Sequence, residues 1–212
     1  MNKLILLGAG GHCKVVIDVI KTFYDIVGIT DIDRSKHGQE FYGIAVLGND
    51  DILHEMFAKG VRKALVTLGS IGNSSIRKKL FEYAKDIGYD MINAVSNDTV
   101  ISKSVRMGVG NIVMDGVIIH ADAVIGNNTI LNTSCIIEHD CMIEDHVHIS
   151  PGAKLAGAVR IGEGTHIGLG ANIIQNISIG KNCIIGAGAV VTKDIPDNCT
   201  AVGVPARVIK ML

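Results

Sequence analysis

The sequence predicts a Rossmann-like α/β domain followed by a parallel β-helix built from hexapeptide repeats. Apolar runs alternate with helix-length amphipathic stretches up to about residue 90, and an aliphatic residue recurs at every sixth position after residue 100. All of the Phe and Tyr residues lie before residue 90, so the second half must build its core from aliphatic residues. We predict domain boundaries at 1–95 and 96–195, with a C-terminal extension over 196–212.

The N-terminal domain alternates between predicted strands and helices. The strand segments read KLILLGAG, DIVGITDID and KALVTLG, and the helical segments read HCKVVIDVIKTF, DDILHEMFAKG and SSIRKKLFEYAKDIG. Strands that alternate with helices of this length predict βαβ units and a small parallel sheet. The segment YDMINAV, at about residues 89–95, predicts one more strand that leads out of the domain.

The second half carries a six-residue repeat without an insertion. Aliphatic residues occupy every sixth position from Ile101 to Val191, and a second register two residues earlier holds mostly small or β-branched residues. Residues two apart on a strand share a face, so both registers point inward. Triangular coils of three hexads follow, stacked at about the 4.8 Å strand spacing. We expect Pro196 to end the repeat and a short helix or hook to cover the open end.

Glycine often follows the inward aliphatic residue. We attribute this to tight corners, which favour residues without a Cβ penalty. The positions concerned are Gly108, Gly126, Gly162, Gly168, Gly180 and Gly186.

Charge and cysteine content exclude several classes of protein. With 20 basic and 21 acidic residues, the chain lacks the basic surface that nucleic acids or anionic membranes attract, so we expect neither as a partner. The first apolar run is short and broken by glycine, unlike a signal peptide, and no segment reaches the ~20 apolar residues of a membrane span. We therefore expect a cytoplasmic protein whose odd number of cysteines are reduced core thiols.

Three segments together resemble a known family. GAGAVVTKDIPDNCTAVGVPARVI, after the hexads, resembles the end of hexapeptide acyltransferases. LLGAGGHCKVVID and LNTSCIIEHDC narrow the resemblance to nucleotide-sugar N-acetyltransferases of the bacillosamine-pathway type and sialic acid O-acetyltransferase-like proteins. This resemblance covers essentially the whole chain. It implies a left-handed β-helix, a homotrimer with acetyl-CoA bound between subunits, and acetylation of a UDP-type amino-sugar in bacterial surface glycan biosynthesis.

The segment LNTSCIIEHDCMIEDHVHIS concentrates polar residues in the repeat. The resemblance implies that His139 is the general base and Glu138 its partner carboxylate. Histidine suits this role because its unperturbed pKa lies nearest neutral pH, and a carboxylate stabilises the imidazolium that forms. Eighteen-residue stacking places Gly157 above His139, where we expect it to leave room for a thioester and to offer its N–H to the oxyanion. We expect Asp140 to be a solvated corner residue.

Further site residues follow from the resemblance. Asn132 and His148 are expected to line the same pocket, with Asn132 on the sugar hydroxyls and His148 near both sugar and CoA. The CoA phosphates are expected near Lys193 and Arg207, although both side chains are equally consistent with plain solvated residues. The remaining polar residues of the repeat are expected in solvent, namely Glu144, Asp145, His146 and His166.

The N-terminal LLGAGGHCKVV predicts a strand, a glycine-rich turn and the start of a helix. Free N–H groups at a helix start form an anion site, and the resemblance implies that this loop holds the phosphates of a nucleotide-sugar. Cys13 replaces the third glycine of GxGxxG, which argues against a dinucleotide. Asp31, Asp33 and Arg34 follow the second strand, where either a nucleotide contact or a solvated turn fits. The substrate-binding candidates are Gly10, Gly11, His12, Asp31, Asp33, Arg34 and Gly69.

Several alternatives remain open at this level. The same residues would serve O-acetylation of sialic acid or a related sugar, and a non-catalytic trimer that binds nucleotide-sugars is a third reading. We expect direct attack of the acceptor without a covalent enzyme intermediate, because Cys135 and Cys141 fall in the inward register. No metal is expected, because the histidine spacing differs from that of the zinc-binding β-helix proteins that resemble γ-type carbonic anhydrases.

Overall fold

A computed structural model describes residues 2–212. The chain divides into two compact units, and each is described by itself below. The first unit extends to Gly69 and continues over Ile76–Ala94, and the second contains Ser70–Ser75 and Val95–Leu212. The short segment Ser70–Ser75 therefore belongs with the β-helix, although it lies within the sequence of the first domain.

The first unit is a twisted sheet flanked by helices. Its sheet order is β3-β4-β2-β1-β5-β6, and every neighbouring pair is parallel except β3 and β4. The strands are β1 (Asn2–Leu7), β2 (Tyr24–Thr30), β3 (Glu40–Phe41), β4 (Ile44–Gly48), β5 (Lys63–Val66) and β6 (Asp90–Met91). The helices are α1 (Gly11–Ile20), α2 (Leu53–Ala58) and α3 (Ser75–Ile87), with 3-10 turns at Arg34–Lys36 and Asp50–Ile52.

Two details of this unit differ from the sequence prediction. The hairpin of β3 and β4 was not predicted, because its strands are short and lie at the edge of the sheet. The single strand predicted over 89–95 is wrong, since β6 joins the first sheet while Ala94–Val95 pairs with the β-helix. The predicted strands β1, β2 and β5 and all three helices are confirmed.

The second unit is a triangular prism in which every hexad contributes one two-residue strand, so that a coil of three hexads places one strand on each face. One face contains Ala94–Val95, Ile112–Val113, Ile130–Leu131, His148–Ile149, His166–Ile167 and Ile184–Ile185. The next contains Val100–Ile101, Ile118–Ile119, Ile136–Ile137, Lys154–Leu155, Asn172–Ile173 and Val190–Val191. The third contains Arg106–Met107, Val124–Ile125, Met142–Ile143, Arg160–Ile161 and Ser178–Ile179.

The predicted register of the coils is confirmed. Partners in parallel pairs lie 18 residues apart, as in Ile119, Ile137 and Leu155. The aliphatic positions and most of the small positions form one continuous buried core, which includes Cys135 and Cys141. Asn111 is the one amide in the small register, and its carboxamide oxygen accepts from the backbone and hydroxyl of Thr129, which belongs to the same register. The predicted fold class, a Rossmann-like α/β domain followed by a left-handed parallel β-helix, is confirmed.

The glycines that directly follow the inward aliphatic residues are needed for a different reason from the one the sequence predicted. The residue three positions after the inward aliphatic residue adopts the left-handed conformation in almost every hexad, as in Asn128, Asp140 and His146. The glycines directly after the aliphatic residues have ordinary φ angles, so conformational freedom is not their purpose. A Cβ at Gly162 would lie 2.6 Å from the carbonyl carbon of Gly180 in the next coil. These glycines are required by close stacking of coils.

A strand hairpin closes the C-terminal end of the prism. Cys199–Gly203 extends one face in parallel with Ile184–Ile185, and Ala206–Met211 returns antiparallel to it. The sequence predicted either a short helix or a hook at this end, and the cover is a hairpin of two strands rather than a helix.

Candidate active site

His139 and its neighbours form an exposed acid–base group on one corner of the prism. The imidazole Nδ1 lies 2.7 Å from Asp140 Oδ2, and both side chains are about three-fifths exposed, at 62% and 60%. Glu138 instead places Oε1 at 3.9 Å from His120 Nε2. The structure therefore gives His139 a different carboxylate partner from the one predicted. Asp140 has a φ of 60°, the left-handed corner conformation that short polar side chains tolerate.

The electrostatics of His139 follow from this contact. The hydrogen bond with Asp140 is the main cause that raises the pKa of His139 above its ordinary value, and the nearby charges of Asp140 and Glu138 add to it. A carboxylate on Nδ1 fixes the tautomer with the proton on that nitrogen, which leaves Nε2 as the acceptor. His139 is thus arranged to take up a proton at Nε2.

Gly157 packs against the imidazole of His139. A Cβ at this position would lie 2.6 Å from His139 Cε1 and 2.7 Å from Nε2. The column above His139 is free of side chains as predicted, but the ring itself occupies the space expected for a thioester. A side chain at position 157 would displace the imidazole from its present place beside the backbone.

Asn132 and His148 lie together, as the resemblance implied. Asn132 Nδ2 lies 3.3 Å from His148 Nε2, and His148 Nδ1 lies 2.6 Å from the carbonyl oxygen of Ser70. Because a carbonyl only accepts, Nδ1 carries the proton and Nε2 faces Asn132 as an acceptor. The side chain of His148 points outward from the prism as predicted. It is nonetheless only 7% exposed, because other residues cover it.

An apolar groove of about 420 Å³ runs beside these two residues. His148 and His166 form its polar side with their rings in edge contact, 4.9 Å between centroids. Leu169 contributes an exposed apolar side chain to the lining. The other apolar or small residues that line the groove are Ile71, Pro151, Gly168, Ile184, Ile185, Gly186 and Ala187.

Three of the residues that were expected to be solvent-exposed are buried or half-buried. His146 is 3% exposed, with Nδ1 at 2.9 Å from Asn128 Nδ2, and His166 is 8% exposed within the groove. Asp145 is half-buried and accepts from the backbone N–H of Asn127 at 2.7 Å. The hexad register gives the direction of a side chain relative to the prism, but not what packs outside it. Glu144 is exposed as predicted.

In the first unit, the glycine-rich loop lies between β1 and α1. Gly10 precedes α1 as its N-cap residue, and a Cβ at Gly10 or Gly11 would meet no described atom within 4 Å. The loop is therefore open on its outer side, where the first N–H groups of α1 are available to an anion. The phosphate site expected at this loop remains a prediction.

The carboxylate of Asp31 holds the same loop through a backbone hydrogen bond. Its carboxylate accepts from the backbone of Ala9 at 2.8 Å, from the backbone of Asp33 at 2.8 Å and from Lys36 Nζ at 3.0 Å. Burial alone would raise the pKa of Asp31, but these hydrogen bonds outweigh it and the pKa lies below its ordinary value. Asp31 is thus an anchor of the loop, while the carboxylate of Asp33 caps the turn at Ser35.

His12, Gly69 and Arg34 occupy different surroundings. Burial lowers the pKa of His12 to about 4, with a further contribution from the charge of Arg77, so the imidazole is neutral at pH 7. Its Nε2 has no hydrogen-bond partner within residues 2–212. Gly69 lies against His12, since a Cβ there would be 3.5 Å from His12 Cβ. Arg34 is exposed.

The remaining predicted residues are two cations and the cysteines. Lys193 and Arg207 are exposed, and a guanidinium nitrogen of Arg207 donates to the carbonyl of Ala206 at 2.9 Å. The cysteines are free and buried as predicted, and burial raises the pKa of Cys135 to about 12 and that of Cys141 to about 11. No group of three or more His, Cys, Asp or Glu side chains within residues 2–212 is arranged to hold a metal ion.

Comparison with known families matches both units. Residues 3–84 match the PglD N-terminal domain, and residues 122–157 and 158–193 match the bacterial transferase hexapeptide family of six repeats. A solved His-to-Asn variant of perosamine N-acetyltransferase from Caulobacter crescentus, in complex with CoA and GDP-perosamine, is 36% identical. It aligns over 99% of this chain and 98% of its own, with a TM-score of 0.93. The chain belongs to the hexapeptide-repeat sugar N-acetyltransferases with a PglD-type N-terminal domain.

Two further structures support this family assignment. The acetyltransferase domain of PglB from Neisseria gonorrhoeae, in complex with acetyl coenzyme A, is 35% identical over 98% of this chain and 99% of its own, with a TM-score of 0.91. WeeI from Acinetobacter baumannii is 29% identical over 97% and 99% of the two chains, with a TM-score of 0.83. No curated protein sequence gave a significant match. The members of this family are acetyl-CoA-dependent sugar acetyltransferases, and this chain is one of them.

None of the helices found within residues 2–212 combines the length and apolar character needed to cross a bilayer.

Proposed function

We propose that the protein transfers the acetyl group of acetyl-CoA to the amino group of a nucleotide-linked amino-sugar. The observation that carries this proposal is the exposed His139–Asp140 pair, 2.7 Å apart, on a β-helix of the sugar acetyltransferase family. The first unit binds the nucleotide through the open loop at Gly10 and Gly11. The product serves the biosynthesis of bacterial surface glycans.

The reaction is a direct acyl transfer. The amine nitrogen attacks the thioester carbonyl carbon, His139 Nε2 accepts a proton from that nitrogen, and the C–S bond breaks to release CoA, whose thiolate is then protonated. Cys135 and Cys141 are unsuited to carry the acetyl group, because both thiols are buried and their pKa values are raised. Asp140 stabilises the imidazolium that forms, and Glu138 adds negative charge nearby.

We assign the pantetheine arm of acetyl-CoA to the apolar groove beside His148. An apolar channel with few polar groups suits a pantetheine arm, and the His148–Asn132 pair offers an amide donor at its polar side. Lys193 and Arg207 are assigned to the CoA phosphates because both are exposed cations, the first directly after the last hexad strand and the second in the C-terminal hairpin.

The decisive assay compares acceptors. Purified protein is incubated with acetyl-CoA and either a UDP- or GDP-linked 4-amino-sugar, or with sialic acid and its CMP form, and free CoA and product mass are followed. We expect turnover with the amino-sugar and a product resistant to mild alkali, which cleaves esters but not amides. Turnover restricted to the sialic acid acceptors would replace our proposal with O-acetylation.

Replacing Asp140 by asparagine tests the orientation of the base. The raised pKa of His139 places the acidic limb of the pH–rate profile above the ordinary histidine value, since the ring must lose its proton to act as base. Removing the carboxylate lowers this pKa, so the limb moves to lower pH while the plateau rate falls. The profile of kcat/KM from pH 5 to 9 measures this. Glu144→Asn is the matched control, and an unmoved limb in Asp140→Asn would contradict the assignment.

We further assign a homotrimer in the cytoplasm. A groove formed on one flat face of a prism is open on the outside, so a neighbouring subunit would complete its walls. Five free cysteines fit a reducing compartment. Light scattering after size exclusion should give three times the 22.5 kDa chain mass, and a monomer with full activity would exclude a shared site.

A further inference from the structure

A second cavity, of about 280 Å³, opens at the carboxyl edge of the first unit's sheet. The residues that line it are largely apolar. Two of these residues are isoleucines, a residue type that folded domains usually bury. Ile32 is 88% exposed and Ile76 is 66% exposed, and Leu68 and Leu80 line the same space. Exposed apolar side chains around a cavity of this shape favour a flat apolar ligand such as a nucleobase.

One carboxylate in this cavity is available to a ligand. Asp31 also lines the cavity, but its oxygens already accept from Ala9, Asp33 and Lys36. Asp50 Oδ1 accepts from the buried hydroxyl of Thr30 at 2.5 Å, a bond that uses one lone pair of Oδ1 and none of Oδ2. Thr30 therefore orients the carboxylate of Asp50 without saturating it.

The ionised form of the Asp50 carboxylate is destabilised in the protein without ligand. Burial raises the pKa of Asp50 above its ordinary value, and the charge of Asp31 raises it further, although the bond from Thr30 partly offsets both. A ligand with N–H donors directed at the carboxylate would offset this destabilisation, because hydrogen bonds to the ionised form stabilise it.

Resting on the proposed function, we infer that the nucleotide is a guanosine diphosphate and that Asp50 is the residue that selects guanine. Guanine presents two adjacent donors, N1–H and the N2 amino group, which pair with both oxygens of a carboxylate. Uracil and thymine present one N–H between two carbonyl oxygens, which a carboxylate repels. Cytosine and adenine present a single donor beside an unprotonated ring nitrogen.

Binding of free nucleotides to the full chain tests this inference. Titration calorimetry with GDP, UDP, dTDP, CDP and ADP should give the tightest binding for GDP, by about tenfold to a hundredfold over UDP. Inosine diphosphate, which lacks only the N2 amino group, should bind the wild-type protein about tenfold more weakly than GDP. This comparison needs no variant, so it holds even where a substitution impairs folding.

Asp50→Asn should exchange the preference. With Thr30 still donating to the amide oxygen, the amide NH₂ faces the cavity, so the residue offers a donor and an acceptor that match the O4 and N3–H of uracil. GDP binding should fall by about tenfold or more while UDP binding strengthens. Asp51→Asn is the matched control, because Asp51 is an exposed neighbour of the same charge and should leave both affinities unchanged.

The outcomes separate this inference from the proposed function. If UDP or dTDP binds tightest and Asp50→Asn leaves the order unchanged, guanine selection by Asp50 is wrong while nucleotide-sugar acetylation stands. If no nucleoside diphosphate binds the full chain, the nucleotide-linked acceptor itself is wrong.

Discussion

Replacing His139 by alanine is expected to lower kcat/KM for acetyl transfer by about 10² to 10⁴-fold, the range that one positioned general base contributes. The loss should fall mainly on kcat, because Nε2 acts on the proton that leaves during attack rather than on substrate binding. The side chain is 62% exposed, so the melting temperature of the variant should match that of the wild type. Steady-state kinetics with the amino-sugar acceptor, together with thermal melting, measure both effects.

His54→Ala is the matched control for this experiment. His54 is an exposed histidine of the first unit whose ring contacts Tyr83 at 5.9 Å between centroids, so its loss removes a comparable surface group. Its kcat/KM should stay within about twofold of the wild type, as expected for surface substitutions. If His139→Ala turned over acceptor at the wild-type rate, the corner pair would have no chemical role and a binding protein would be the better description.

The repeat made the fold of the β-helix predictable. A six-residue period determines which side chains point inward, and stacking at 18 residues followed from it, so Ile137 and Leu155 were placed correctly. The same rule could not say what covers the outside of the prism. His146 and His166 point outward and are buried nonetheless, while Ser70, distant in sequence, bonds to the outward His148. Contacts of this kind depend on segments that carry no repeat.

The site itself was predictable only to the level of a segment. Sequence placed a base and a carboxylate side by side in EHD, but the choice between Glu138 and Asp140 depends on backbone conformation. Asp140 occupies the left-handed corner, and its carboxylate meets Nδ1 of His139. Asp140 was predicted to lie at a corner, but the six-residue register does not show that its carboxylate turns toward the imidazole of His139. Asp50 was missed because it lies outside any motif and gains its place only from the bond with Thr30.

The second large effect concerns the stacking of coils. Replacing Gly162 by alanine is expected to lower the free energy of unfolding by about 3 kcal/mol or more, at the upper end of overpacking costs. The added Cβ would lie 2.6 Å from the carbonyl carbon of Gly180 and 2.7 Å from the backbone nitrogen of Lys181. Both are backbone atoms held by the next coil, so neither can turn aside as a flexible side chain would. Chemical denaturation followed by circular dichroism measures the loss.

Gly188 provides the contrasting position. Its φ is 66°, and a Cβ there would meet no described atom within 4 Å, so Gly188→Ala should cost only the left-handed strain of about 1–2 kcal/mol. Gly188→Asn should cost less, because asparagine tolerates this conformation and already occupies equivalent corners at Asn128, Asn176 and Asn182. If Gly162→Ala and Gly188→Ala lost the same stability, corner conformation rather than coil stacking would explain both glycines. We therefore expect the loss in the free energy of unfolding to decrease in the order Gly162→Ala, Gly188→Ala, Gly188→Asn. This order separates the two reasons for glycine in the repeat, close stacking of coils and left-handed backbone conformation.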